Sequence, residues 1–365
     1  MQDPIDILSV ALLERFSLAT QSELPGAPAL FQGADKYVLA SLIQKAIRRG
    51  DVATARRAGH QLLSLDPSRL WRRLRVTALE DIGIGDCDAA AELVAIATYA
   101  GIRRRLGGNR LALDYGLDRA CRAVKDRTPD HLHSVVEREP GRAERVEALR
   151  HASDSALVAV LSDGTRDLAE RAQAAATLLG HCEGDTREAC QKRLAPVFAM
   201  FRGLGAPKLL MAACEAYGFR EGDILTLYVL LAWSLRQAEG MPAGTAIHTL
   251  QAPDLIEGVP AYGMDPHHTR IGRRAVQHWR RSYRGPPPWS ARQIGMALWN
   301  VEAAACDRTL DWPLGRQIRQ RAYRADLLSY GVPQEQHEAL FLWVTREHAA
   351  LTSARRTVWR SAAQP

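Results

Sequence analysis

The chain has 365 residues and a formal charge of +7, set by 48 Lys+Arg against 41 Asp+Glu. Apolar residues make up 47% and charged residues 24%, ordinary values that exclude long disorder, and the length suits two or three packed units rather than one core. No run of about 18 uncharged apolar residues exists, so a membrane span is excluded. The N-terminus, Met1-Gln2-Asp3-Pro4, lacks the basic-then-apolar pattern of a signal peptide. Six cysteines (Cys87, Cys121, Cys182, Cys190, Cys214 and Cys306) form neither a CxxC pair nor a Cys/His cluster, so no metal site is expected. Reduced, mostly buried thiols in a cytoplasmic protein follow from that pattern.

The predicted elements are helices almost throughout. Tyr37, Leu39, Ala40, Leu42, Ile43, Ala46 and Ile47 recur at helical spacing and stop at Gly50. A second helix spans 52–65 and is closed by Asp66-Pro67, and Ser68 can cap a third through Leu79. Further helical segments cover 89–100, 111–125, 142–151, 157–161, 167–179 and 187–201. Breaks fall at Thr128-Pro129-Asp130, at 180–185 and across 240–266, which carries Pro242, Pro253, Pro260 and Pro266. Strand-like alternation is nearly absent, so the fold is expected to be all-α and multi-helical. Four segments result: an N-terminal extension (1–34), a helical domain (35–128), a helical middle region (129–240) and a basic Arg/Trp-rich helical domain (241–365) led in by the 241–266 loop.

Residues 35–128 resemble the helical collar that follows the ATPase module in clamp-loader-type AAA+ proteins, in particular the bacterial replication-associated recombination (genome-maintenance) ATPases. The carriers are the stretch 36–51, KYVLASLIQKAIRRGD, and the stretch from Arg72-Arg73-Leu74 to Glu80-Asp81-Ile82-Gly83-Ile84-Gly85-Asp86. They cover about a quarter of the chain. The family's phosphate-binding GxxxxGK[ST] is missing, and only about 35 residues precede the collar-like part, too few for an ATPase module. The resemblance therefore implies a DNA-transaction setting and possible homo-oligomer formation, without ATP hydrolysis and with no cofactor. Within this part, Glu80 and Asp81 are either paired catalytic carboxylates or turn acceptors. Lys45, Arg48 and Arg49 form either a solvated helix end or a phosphate contact.

The basic residues are unevenly placed. Arginine outnumbers lysine 43 to 5, residues 266–365 carry +9 and residues 1–265 carry −2. Between 266 and 301 there is no Asp or Glu, but there are Arg270, Arg273, Arg274, Arg280, Arg281, Arg284 and Arg292, with Trp279, Tyr283, Trp289 and Trp299 interleaved. Thr269 can cap a helix bearing Arg270, Arg273, Arg274, Gln277, Arg281 and Arg284 on one side. Such a stripe suits nucleic-acid phosphates, and the rings suit unpaired bases; core tryptophans and an acidic protein partner are the alternatives.

Immediately upstream, Asp265, His267 and His268 lie beside Thr269 and Arg270, where Gly263 and Pro266 can fix the loop. A lone carboxylate is too little for a metal-dependent nuclease, whereas metal-free base excision needs one carboxylate, basic groups and rings around an extruded base. Glu302 and Asp307 could neutralise the basic cluster or add a carboxylate, and Lys208 could act as an amine nucleophile. The expectation is a DNA-acting protein, most concretely a metal-independent DNA glycosylase in repair or defence against modified foreign DNA. In it Asp265, His267 and His268 are catalytic, and Thr269, Arg270, Arg273, Arg274, Trp279, Arg280, Arg281, Arg284, Lys45 and Arg48 bind DNA. The alternatives are a non-catalytic DNA-binding or assembly module and a protein adaptor without a nucleic-acid role.

Overall fold

Helix starts follow side-chain caps. Asp35 accepts the backbone amides of Tyr37 and Val38, Asp51 that of Thr54, Asp86 that of Ala89 and Ser153 that of Ala156. The third predicted helix starts two residues earlier than expected: Asp66, not Ser68, is its cap, because its carboxylate accepts the Arg69 amide at 3.1 Å and Pro67 needs no amide partner in the first turn. The break at Thr128-Pro129-Asp130 falls at the start of a helix, Thr128–Arg138.

The computed structural model describes residues 3–19, 29–240, 243–283 and 288–363. Among them the helices are α1 (Pro4–Ala19), α2 (Lys36–Arg48), α3 (Val52–Leu65), α4 (Pro67–Thr77), α5 (Cys87–Thr98), α6 (Ala100–Arg105), α7 (Asn109–Arg122), α8 (Thr128–Arg138), α9 (Arg142–Leu149) and α10 (Asp154–Ser162). There follow α11 (Leu168–Gly180), α12 (Arg187–Gly203), α13 (Lys208–Glu221), α14 (Leu225–Glu239), α15 (Arg270–Ser282), α16 (Ala291–Leu298), α17 (Pro313–Ser329), α18 (His337–Arg346) and α19 (His348–Ala363). Four strands of two to four residues and an isolated bridge between Lys125 and Thr309 make up the β-structure among the described residues, and the fold is all-α. No helix among them is long and apolar enough to cross a membrane.

The chain divides into two units built from non-contiguous segments. One takes Met1–Glu23, Leu74–Ala246 and Thr309–Ala325, and the other Leu24–Arg73, Ile247–Arg308 and Asp326–Pro365. They therefore do not follow the linear 35–128, 129–240 and 241–365 division, because the chain leaves each unit and returns to it.

In the first unit, α5 is buried from Ala89 to Thr98 and α14 from Leu225 to Trp233, so both read as apolar all round. Two of its interior carboxylates are matched by arginines: Glu92 accepts Arg15, Arg119 and the Tyr115 hydroxyl, and Asp81 pairs with Arg127 at 3.1 Å. In the second unit, α2 packs on α3 and on a 3-10 turn, Ala261–Met264, while α15 packs on α19 and α16. A core of Val276, Trp279, Ile294, Leu298, Trp343 and Leu351, with neighbours, joins α15, α16, α18 and α19. The six cysteines are free thiols, five of them buried and Cys87 partly so.

Candidate nucleic-acid interface

The start of α15 is fixed by the loop before it. Asp265 closes a local turn: its Oδ1 accepts the backbone amides of His267 and His268, both at 2.9 Å. Thr269 is the cap, as its spacing implied. Its hydroxyl donates to the Asp265 carbonyl at 2.6 Å and accepts the Gly272 amide at 3.1 Å. Glycine is needed at 272 for close approach, since a Cβ there would lie 2.4 Å from the Met264 carbonyl oxygen and from the Asp265 backbone. Gly263 serves the same purpose rather than conformational freedom: a Cβ there would meet Leu42 at 2.3 Å.

Asp265 is an interior residue, 1% exposed. Its Oδ2 accepts the Ser41 hydroxyl at 2.7 Å and lies 2.8 Å from the Lys45 ammonium, which is itself fully buried. Burial opposes ionisation of Asp265, but Lys45 and the His268 ring outweigh it and hold the carboxyl well below the ordinary range. His268 presents Nδ1 to Oδ1 at 3.2 Å; since a carboxylate only accepts, Nδ1 carries the proton and Nε2 keeps its lone pair. Burial dominates over that hydrogen bond and, with Lys45 adding to it, pushes His268 down to about 4, so the ring is neutral at pH 7. His267 is exposed, its ring 5.0 Å from His268 and 6.0 Å from Trp299. The cluster can thus offer one oriented proton acceptor, His268 Nε2, while the Asp265 oxygens are occupied by four donors and an ammonium.

The expected DNA-binding residues part company. Lys45 and Arg48 are both 0% exposed: Lys45 is committed to Asp265 and Ser41, and Arg48 donates to the Ala303 carbonyl at 2.8 Å and lies over the Trp299 ring. Neither reaches a phosphate from there. Trp279 is 4% exposed and packs edge-on against Trp343 at 5.0 Å, so it belongs to the core. Arg280 is half-buried. Arg284 lies outside the described residues.

Arg270, Arg273, Arg274 and Arg281, with Gln277, are exposed along one side of α15, while Gly272, Ala275, Val276 and Trp279 are buried on the other. None of these four arginines pairs with a carboxylate among the described residues; Arg273 alone is tied down, by 3.4 and 3.2 Å contacts to the carbonyls of Pro266 and His267. Elsewhere in the chain a number of arginines do pair with carboxylates, among them Arg15, Arg119, Arg127, Arg321 and Arg355.

The remaining candidates take up structural partners. Glu302 faces Arg355 of α19, at 3.1 and 2.6 Å, and not the α15 stripe. Burial works against its ionisation, yet Arg355 and His348 bring it down to about 2. Asp307 pairs with its neighbour Arg308, and Lys208 is exposed at the first position of α13. Asp81 is buried against Arg127 rather than at the Gly83 turn.

The sequence reading missed Ser41, Gln44 and Arg73, which complete the Lys45 surroundings; Gln44 accepts from Arg73 at 3.0 Å. The signal was present, since Ser41, Gln44, Lys45 and Arg48 recur three and four apart on an otherwise apolar helix. Comparison of the chain with protein-family models, with curated proteins and with solved structures finds no match.

Proposed function

We propose that the chain is a DNA-binding module that holds the phosphate backbone on the exposed face of α15. The observation that carries the reading is the row Arg270, Arg273, Arg274 and Arg281, exposed and without carboxylate partners among the described residues, on a helix whose opposite face is anchored in the core. Exposed guanidinium groups spaced by a helical turn neutralise successive phosphates and release counterions. The acid-free window from 266 to 301 leaves that field uncompensated by its own chain segment. The collar-like character of residues 35–128 supports the same setting.

Base excision is the less favoured version. It requires a carboxylate that meets the sugar or a water, whereas Asp265 is 1% exposed with both oxygens engaged. The experiment is equilibrium binding of the full chain to DNA across a salt series, with chelator present, followed by a probe for abasic sites on unmodified and modified DNA. The expected result is affinity falling steeply and linearly with log salt and no abasic product. Absent or salt-insensitive binding overturns the proposal. Abasic sites formed by the wild type and lost in Asp265→Asn protein that is shown to be folded would replace it with the excision reading.

A further inference from the structure

Beside the arginine stripe, α15 and α19 leave a groove of about 580 Å³ between them, within the range of small-molecule sites. The α19 wall is made of small residues, Ala350, Ser353, Ala354 and Thr357, three and four apart, and the space exists because those side chains are short. The α15 wall supplies His278, Trp279, Ser282 and Tyr283. Tyr283 is half-buried with its ring 4.9 Å from Trp279, and both rings back onto Trp343. The groove therefore ends on a rigid aromatic face.

We propose that this groove takes an unpaired nucleobase, so that the preferred ligand of the α15 face is single-stranded DNA. The inference rests on the DNA-binding reading above and narrows its substrate. Three features select a base over an apolar protein segment. The first is hydrogen-bonding character. Ser282, Ser353 and Thr357 each donate to a carbonyl of their own helix, at 3.2, 3.1 and 3.2 Å, which leaves their oxygen lone pairs to accept the amino and imino hydrogens of a base.

The second is charge. Arg274 precedes His278 by four residues and Arg281 follows it by three, so the phosphate-binding stripe borders the groove along its length. On the opposite wall Arg356, exposed, follows Ser353 by three. The acid in the lining, Glu347, already pairs with Arg346. The third is the aromatic end, where half-buried Tyr283, with the buried Trp279 behind it, offers a ring on which any base can stack. A duplex keeps its bases paired inside and can use only the stripe; a single strand can use the stripe and the groove together.

The test compares the affinity of the full chain for one labelled mixed-sequence strand and for its duplex, by fluorescence anisotropy at fixed salt. The single strand is expected to bind about tenfold more tightly. Ser353→Phe and, separately, Ala350→Phe fill the groove from exposed positions where the fold has room, and each is expected to bring single-strand affinity down to about that of duplex. Arg274→Ala with Arg281→Ala is expected to weaken both forms. Equal or tighter duplex binding, or a single-strand advantage that survives both filling substitutions in folded protein, overturns the groove proposal and leaves the phosphate-binding stripe standing. Failure of the wild-type chain to bind either form overturns the DNA-binding reading and this one with it.

Discussion

Helices α2 and α15 both carry basic residues three and four positions apart, and in the folded chain they do opposite things. On α2, Lys45 and Arg48 are fully buried and spend their charge inside the second unit, on Asp265 and on the Ala303 carbonyl. On α15, Arg270, Arg273, Arg274 and Arg281 stay in solvent with no carboxylate partner among the described residues. The separating variable is what else the helix carries. Apart from its polar stripe α2 is apolar, so it is enclosed and its charges must find partners inside. The buried side of α15 is narrow and the arginines never have to leave water.

The largest expected effect follows from enclosure. Asp265→Asn leaves Lys45 buried without a counter-charge and is expected to cost about 3–5 kcal/mol of stability, measured by denaturant unfolding. A variant that unfolds at the wild-type midpoint would place the weight of the loop elsewhere. Alanine at any one of the four stripe arginines, by contrast, is expected to change stability by less than about 0.5 kcal/mol, because each is exposed.

A mid-sized effect comes from pH and has opposite signs in the two units. In the second unit the neutral His268, lowered to about 4, contributes stability that is present above the ordinary histidine value near 6.5 and lost as pH falls toward 4. Glu302, lowered to about 2, contributes stability present above the ordinary value of 4.5 and lost as pH falls toward 2. In the first unit, burial outweighs the Thr128 hydrogen bonds and raises Asp126 to about 6, so its contribution is lost as pH rises from the ordinary 3.8 through 6. Unfolding followed between pH 7 and pH 4.5 is expected to show a decline in the second unit that His268→Gln removes. A decline of the same size in the variant would show that other groups titrate.

The helical nature of the chain was legible because caps and apolar periodicity agree locally: α3 spans the expected 52–65, and Thr269 caps α15 as its spacing implied. The stripe was legible for the same reason, as a helix with no acids has no internal means of neutralising itself. The fate of Lys45, Arg48 and Trp279 was not. Lys45 meets Asp265 across 220 positions of sequence, and Trp279 meets Trp343 across 64; spacing along the chain carries no record of either contact. The non-contiguous units are hidden for the same reason, since a chain that leaves a unit and returns leaves no compositional mark where it does so.

The most direct test of the contrast is the slope of log affinity against log salt for DNA binding, in the wild type and in a variant with alanine at Arg270, Arg273, Arg274 and Arg281. The slope is predicted to become shallower by about 0.9 for each arginine that contacts duplex phosphate, with the thermal midpoint unchanged. An unchanged slope in a folded variant would contradict the assignment of the phosphate-binding face to α15.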